Sequence, residues 1–283
     1  MRRTVHIVSR AVIPWAALLW SCADPAPSQT PDPRLVDIGG YRLETLILGE
    51  GSPTVVFDAG FGAGLGDWRQ VQDSVALHTQ TLAYSRAGLH NSDPGPEPRT
   101  ARQIATELRA LLLTTGVTGP VILVGHSAGG MFIRSYAAEY SEEVVGMVFV
   151  DPATEDIYQN MRDQAPERWD RHVEDVDSPS PGFGPQWEAL PESLEQTRLA
   201  WPLPEVPMVV LTALTLLPGE WALETPAYME FWHASHQRLV DRLGNADHIV
   251  LEDRDHLTIL KDLAVREAIL DIVQEQRARG DAF

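Results

Sequence analysis

Short apolar runs alternate with amphipathic stretches along most of the chain. "TVVFDAG" (54–60), "TLAYSRAG" (81–88), "VILVG" (121–125) and "GMVFVD" (146–151) have strand length and few polar positions, as strands buried on both faces do. Between them, "TARQIATELRALLLTTG" (100–116) places Ile104, Leu108, Leu111 and Leu112 on one helical face and stops at Gly116. A second helix is predicted from about Ala128 to Tyr140. Upstream, "LVDIGGYRLETLILGEG" sets Gly39-Gly40 between two alternating runs, a β-hairpin signal. Downstream come a strand in "VPMVVLTAL" from 206, a helix at about 222–243, a strand "HIVLED" (248–253) and a closing helix at about 258–278. There is no internal repeat and no heptad pattern. Repeated strand–helix units predict an α/β fold with a mostly parallel, eight-stranded sheet and helices on both faces.

The rhythm fails twice. Residues 152–206 carry Pro166, Pro179, Pro181, Pro185, Pro191, Pro202 and Pro204 with Trp169, Trp187 and Trp201. A structureless loop of that length is uncommon in a compact domain, so an inserted lid with short helices is expected there. At the other end, "MRRTVHIVSR" is basic, "AVIPWAALLW" is apolar, and small residues follow. Residues 1–22 therefore read as an export signal, too short to span a bilayer. Leu19-Trp20-Ser21-Cys22 resembles a bacterial lipobox, with Trp20 a poor fit; the alternative is a plain secretory signal. Residues 23–34, with four prolines, read as an extended tether, and the folded domain is expected over 35–283.

Composition narrows the function. The 283 residues are 44% hydrophobic and 22% charged, enough for one large α/β domain. A net charge of −18 argues against nucleic-acid binding, which needs clustered cations. Cys22 is the sole cysteine, so no intrachain disulfide exists; a lipid anchor on Cys22 would give the only membrane contact, placing the protein outside the cytoplasm. Oligomeric state is not legible.

The candidate chemistry sits at "VILVGHSAGG" (121–130). A strand-to-helix turn can push its central side chain up above the sheet edge, and glycines two before and two after Ser127 avoid a collision where strand and helix cross. A serine hydroxyl needs a base within hydrogen-bond reach. His256, in "HIVLEDRDHLTIL", follows the last strand and precedes the closing helix. His126 lies inside the elbow, His233 and His236 lie mid-helix, and His248 is expected to open the strand. The orienting acid is Asp151, at the end of "GMVFVD", or Glu220, with Asp253, Asp255 and Glu224 also possible. Two backbone N–H groups are expected to face a developing oxyanion: that of Ala128, and that of Phe61 or Gly62 in "VVFDAGFGAGLGDW". That loop never meets G-x-G-x-x-G, and neither G-x-x-x-x-G-K nor H-E-x-x-H occurs, so no cofactor and no metal are expected.

With these residues in view, the chain resembles the α/β-hydrolase superfamily over residues 35–280. It is most similar to bacterial hydrolases with "GHS.GG" at the elbow (Gly125 to Gly130), "Y.RAG...SDPGP" after the fourth strand (Tyr84 to Gly88, then Ser92-Asp93-Pro94) and "VDP" after the sixth (Val150-Asp151-Pro152). The order Ser127, Asp151, His256 agrees with the family order of nucleophile, acid and base. An acid after the sixth strand also resembles the pancreatic-lipase arrangement. Two departures stand out: Ala59-Gly60 replaces the usual "HG" of the oxyanion loop, and the common "GxxD" after the seventh strand is absent. The resemblance implies a serine hydrolase that cleaves a small-molecule carboxylic ester through an acyl-enzyme. Lactone, thioester, amide or carbon–carbon hydrolysis, acyl transfer, and a surface binding module on a hydrolase scaffold are the alternatives. Serine at 127 excludes the carboxylate nucleophile of epoxide and haloalkane hydrolases.

Overall fold

A computed structural model describes residues 31–164, 183–216 and 226–280. The expected signal, Cys22, most of the tether, Glu220 and Glu224 lie outside them. Eight strands form one sheet in the order β1-β2-β4-β3-β5-β6-β7-β8. They are β1 (Arg34–Asp37), β2 (Arg42–Leu48), β3 (Thr54–Asp58), β4 (Thr81–Tyr84), β5 (Val121–His126), β6 (Val144–Val150), β7 (Met208–Ala213) and β8 (Ala246–Leu251). The β1–β2 hairpin is antiparallel, with Arg34 opposite Thr45, and β2 runs antiparallel to β4. The hairpin turn is fixed by Asp37 Oδ1, which accepts from the N–H groups of Gly39 and Gly40 at 2.8 and 2.9 Å. All other pairings are parallel.

Alternation along the strands builds two cores, one on each face of the sheet. Val55, Phe57, Ile122, Val124, Val148, Val150, Val209 and Leu211 face one way. They pack against α1 (Arg69–Val75) and α8 (Leu263–Gly280), through Val71, Val75, Val265, Ile269 and Val273. Val56, Leu82, Leu123, Met147, Phe149 and Val210 face the other way. Against them lie α2 (Ala101–Thr114), α3 (Gly129–Glu139) and α7 (Pro226–Leu243). Ile104, Leu108, Leu111 and Leu112, the apolar stripe of α2, are all buried. Each such side chain contributes about 1.5–3 kcal/mol of transfer free energy, which is why these strands tolerate almost no polar position.

Between β6 and β7 the described residues form α4 (Glu155–Gln164), α5 (Phe183–Glu188) and α6 (Leu190–Leu199). The first turn of α2 leaves N–H donors without intrahelical acceptors. Ser193 and Gln196 of α6 supply two, accepting from Ala101 and Arg102 at 3.0 and 2.9 Å, while Thr100 Oγ1 accepts from Gln103. The segment is thereby fastened to the body of the domain. Among the described residues no helix is long and apolar enough to cross a membrane.

Strands β6 and β7 start at Val144 and Met208 rather than 146 and 206, and two further boundaries differ from the sequence reading near His256. Strand β8 starts at Ala246, so His248 sits inside it rather than opening it. The closing helix is split into a 3-10 turn (Thr258–Lys261) and α8, because Asp262 is extended (φ −74°, ψ 142°). Its carboxylate accepts from the Ala264 N–H at 2.8 Å and from Arg254 at 2.8 Å, an N-cap arrangement that starts a new helix rather than continuing the old one.

Candidate active site

Ser127 stands between the last residue of β5 and the first turn of α3, with φ of 53°. A side-chain-bearing residue in the left-handed region is strained and must be held there. Here the backbone does so: the Ser127 N–H donates to Val150 O (3.1 Å), and Ser127 O accepts from Gly130 and Ala153 (2.9 Å each). The flanking glycines are required by contact. A Cβ on Gly125 would lie 2.7 Å from the Gly129 carbonyl, and one on Gly129 would lie 2.3 Å from Asp58 O. The elbow is thus wedged between two backbones.

Asp151 follows β6 directly and also has a positive φ, 45°. It is buried, and its N–H donates to Leu211 O at 2.7 Å. Its Oδ2 lies 2.6 Å from His256 Nδ1. Its Oδ1 accepts from the Ala213 N–H and from the Trp232 indole N–H, both at 2.9 Å. Burial pushes the Asp151 carboxyl up, but the hydrogen bond and charge of His256, with His236 and Trp232, more than offset it and hold the group below the usual range. An ionised carboxylate only accepts, so His256 carries its proton on Nδ1 and presents the Nε2 lone pair.

His126 is packed on His256: the ring centroids are 4.5 Å apart, and His126 Nε2 donates to the His256 backbone carbonyl at 2.9 Å. Burial, then the neighbouring imidazole, lowers His126 to about 3, so it stays neutral and orients the His256 loop. Asp255 fixes the same loop by accepting from the N–H groups of Leu257 and Thr258 at 2.9 and 2.8 Å. Asp253 pairs with Arg254. The structure therefore brings Ser127, His256 and Asp151 to one end of the sheet, and engages Asp253 and Asp255 elsewhere. Glu220 and Glu224 lie outside the described residues.

The loop after β3 runs past the serine. A Cβ built on Gly60 would be 3.2 Å from Ser127 Cβ and 3.6 Å from its Oγ. Arg86, from the segment after β4, clamps this loop from below. Its guanidinium donates to Asp58 Oδ1 (2.6 Å), Ala59 O (2.6 Å) and Gly60 O (2.5 Å), and to Gln186 of α5 (2.9 Å). Tyr84 completes the carboxylate at 2.7 Å. Because a trans peptide points C=O and N–H in opposite directions, fixing Gly60 O toward Arg86 turns the Phe61 N–H away from it. The Phe61 ring meets Phe132, Tyr158 and Trp187 at centroid distances of 6.0, 6.1 and 5.6 Å, all edge-on.

Three contributors were not assigned roles from sequence. Arg86 stood in the "Y.RAG" stretch, a visible signal without a visible partner. His236 figured only as a mid-helix histidine set aside as the base; its ring joins Pro152 O (2.7 Å) and Thr212 Oγ1 (2.8 Å). Trp232 carries no local signal, since nothing in a helical sequence tells which residue beyond the sheet its indole meets.

A strained serine on a strand-to-helix elbow, beside a histidine–carboxylate pair on an eight-stranded mostly parallel sheet, defines an enzyme of the hydrolase class. The chain belongs to the α/β-hydrolase fold family, whose model matches residues 53–206. It is 37% identical over 143 residues to the probable transporter efuK of Hormonema carpetanum, covering 48% of this chain and 20% of that protein. It is 30% identical over 113 residues to the putative carbamate hydrolase RutD of Azorhizobium caulinodans, covering 40% and 42%. The matched stretches thus span less than half of these relatives. Among solved structures it is similar to a thermophilic esterase from Thermogutta terrifontis, with TM-score 0.63 and 18% identity over 86% of this chain and all of that one. That likeness is one of fold.

Proposed function

We propose that the protein is a serine hydrolase that cleaves a carboxylic ester, or a related acyl bond, through an acyl-enzyme on Ser127. The observation that carries this reading is the 2.6 Å Asp151–His256 hydrogen bond set beside a serine at positive φ. His256 Nε2 accepts the Ser127 proton as Oγ attacks the substrate carbonyl, and returns it to the leaving alcohol; water, activated by the same nitrogen, then releases the acid. Asp151 holds the imidazolium that forms at each step. The backbone N–H groups of Ala128, at the start of α3, and of Phe61 bind the oxyanion. Arg86 supports the second by fixing the carbonyls of Ala59 and Gly60. The ring cluster of Phe61, Phe132, Tyr158 and Trp187, next to this loop, favours a small apolar acyl or alcohol group. Helices α4 to α6 serve as the lid.

The test is p-nitrophenyl butyrate hydrolysis by the purified protein beside Ser127→Ala. Turnover lost in the variant supports the reading; a folded wild type no faster than Ser127→Ala removes general esterase activity. Asp151→Asn is expected to lower kcat by about 10⁴-fold, the size of effect of a triad acid that loses its charge, while Glu220→Gln leaves it unchanged. We infer further that the enzyme is exported and held at a membrane through lipid on Cys22. The basic-then-apolar start and the placement of the sole cysteine support this; labelled palmitate incorporated into the wild type and not into Cys22→Ser tests it.

A further inference from the structure

The acid of the site has a partner that neither the fold nor the proposed reaction demands. Asp151 Oδ1 accepts one bond from the backbone, the Ala213 N–H, and one from a side chain, the indole N–H of Trp232, each at 2.9 Å. Trp232 lies on α7 and is buried. Its ring stands perpendicular to the imidazole of His256, at 89° with centroids 5.4 Å apart. One side chain therefore touches both members of the acid–base pair. It bonds to the oxygen that does not face His256, and it walls the ring that the other oxygen orients.

A second residue fixes the helix that delivers it. His236 follows Trp232 by one helical turn and so lies on the same face; the two rings meet at 5.1 Å. Its Nε2 donates to Pro152 O, the carbonyl of the residue after Asp151, at 2.7 Å. That leaves Nδ1 as acceptor for the Thr212 hydroxyl of β7, at 2.8 Å. Helix α7 is thereby pinned beside Asp151 at one end of the contact and to β7 at the other, while the neutral imidazole stays 3.9 Å from Asp151 Oδ1 without competing for it.

We propose that Trp232 is a positioning residue of the Asp151–His256 pair: its N–H, with that of Ala213, fixes the carboxylate so that Oδ2 aims at His256 Nδ1, and its ring limits the tilt of the imidazole. The inference rests on the serine-hydrolase reading. Two N–H donors on one oxygen remove the rotation of the carboxylate that a single donor leaves open. They also share its charge, so loss of one makes the carboxylate more basic and the adjoining imidazolium harder to deprotonate. The other titratable groups facing the pair are His126 from the elbow, His236 from α7 and Asp255 from the His256 loop. Of these, His236 also packs against the Trp232 ring, and phenylalanine at 232 keeps a ring there.

The experiment compares wild type, Trp232→Phe and Trp232→His on p-nitrophenyl butyrate across pH. Phenylalanine keeps a ring and loses the donor; histidine restores an N–H. Trp232→Phe is expected to lower kcat about ten- to a hundredfold, the size of effect of small misplacements of catalytic groups, with KM within about twofold. The acid limb of its kcat/KM profile is expected to move up by about 0.5 pH unit, and Trp232→His to recover part of both losses. An unmoved acid limb, or a rise in KM at constant kcat, overturns the proposal and leaves Trp232 as a packing or pocket residue. If Trp232→Phe fails to fold, the wild type decides alone: the Trp232 indole N–H resonance must titrate together with His256, and a flat resonance refutes the contact. A wild type inactive on every ester tested sinks the ester-hydrolysis reading, while the resonance still reports on the Trp232–Asp151 bond.

Discussion

Arg86 and Asp58, 28 residues apart, form a buried ion pair of 2.6 Å beneath the loop that passes Ser127. Each side chain is only 1% exposed. A buried pair repays its desolvation only when its remaining donors and acceptors are satisfied. Here the guanidinium also holds two consecutive carbonyls and Gln186, lies 4.7 Å from the Phe132 ring centroid, and the carboxylate has Tyr84. Together with the packing of the Phe61 ring, the pair converts a glycine-rich loop into a rigid element.

Arg86→Lys keeps the charge and loses the fork that reaches both carbonyls at once. The expected outcome is a folded protein whose kcat on an activated ester falls about ten- to a hundredfold, as donors aimed at the oxyanion lose register. Arg86→Ala leaves Asp58 buried and uncompensated, and is expected to cost about 3–5 kcal/mol of stability. Steady-state kinetics and urea unfolding separate the two. Equal kcat in wild type and Arg86→Lys would mean the loop holds its shape without the clamp.

Ser127 predicts the opposite trade. At φ of 53° a residue with a Cβ is strained, whereas glycine is not. Ser127→Gly is therefore expected to be inactive and yet more stable, by about 1 kcal/mol. Ser127→Ala keeps the strain and is expected to unfold near the wild-type midpoint. A Ser127→Gly midpoint at or below that of Ser127→Ala contradicts strain stored at the elbow.

The proposed lid makes a third expectation. Gln186 of α5 receives Arg86 Nε at 2.9 Å, so this helix is joined to the oxyanion loop through one guanidinium. Gln186→Ala is expected to reduce kcat/KM modestly, by about threefold to tenfold, the net worth of one ordinary hydrogen bond of about 0.5–1.5 kcal/mol. The loss should sit in KM if α5 chiefly closes over substrate, and in kcat if it chiefly steadies Arg86. No change in either constant would show that the lid and the loop act independently.

What the sequence made legible follows the range of the forces involved. The apolar runs of β3 to β7 are dictated by burial on both faces, so periodicity found them; Gly125 is dictated by a contact within four residues, and the spacing of the glycines marked the turn that holds Ser127, although Gly129 is also required by the distant Asp58 carbonyl. Asp151 was readable as the end of a strand, since strand ends at one edge of a parallel sheet converge. Arg86, His236 and Trp232 act across 28, 84 and 81 residues of chain, on Asp58, Pro152 and Asp151. Such contacts are set by packing of finished elements, and no local pattern encodes them. The break at Asp262 was missed for another reason: "TILKDLAVREAIL" has helical periodicity throughout, and a single capping carboxylate overrides it.

The two buried histidines fix the response to acid. Burial lowers His126 to about 3 and His236 to about 4, against 6.5 when free. Below about pH 6.5 the unfolded chain binds protons on both, and the folded chain does not. The unfolded state then carries the larger proton count, and stability falls as the pH falls, by up to about 1.4 kcal/mol per pH unit for each histidine. Above about pH 6.5 both states hold neutral rings and this contribution is constant. The urea midpoint is therefore expected to be level from pH 8 to about pH 7 and to decline from about pH 6.5 to pH 5, before most carboxylates titrate. His236→Asn can still donate to Pro152 O and does not titrate, so it is expected to be less stable at pH 7 but to lose about half of the slope below pH 6.5. An unchanged slope in His236→Asn would mean that His236 is protonated in the folded protein, and the neutral imidazole beside Asp151 would have to be abandoned.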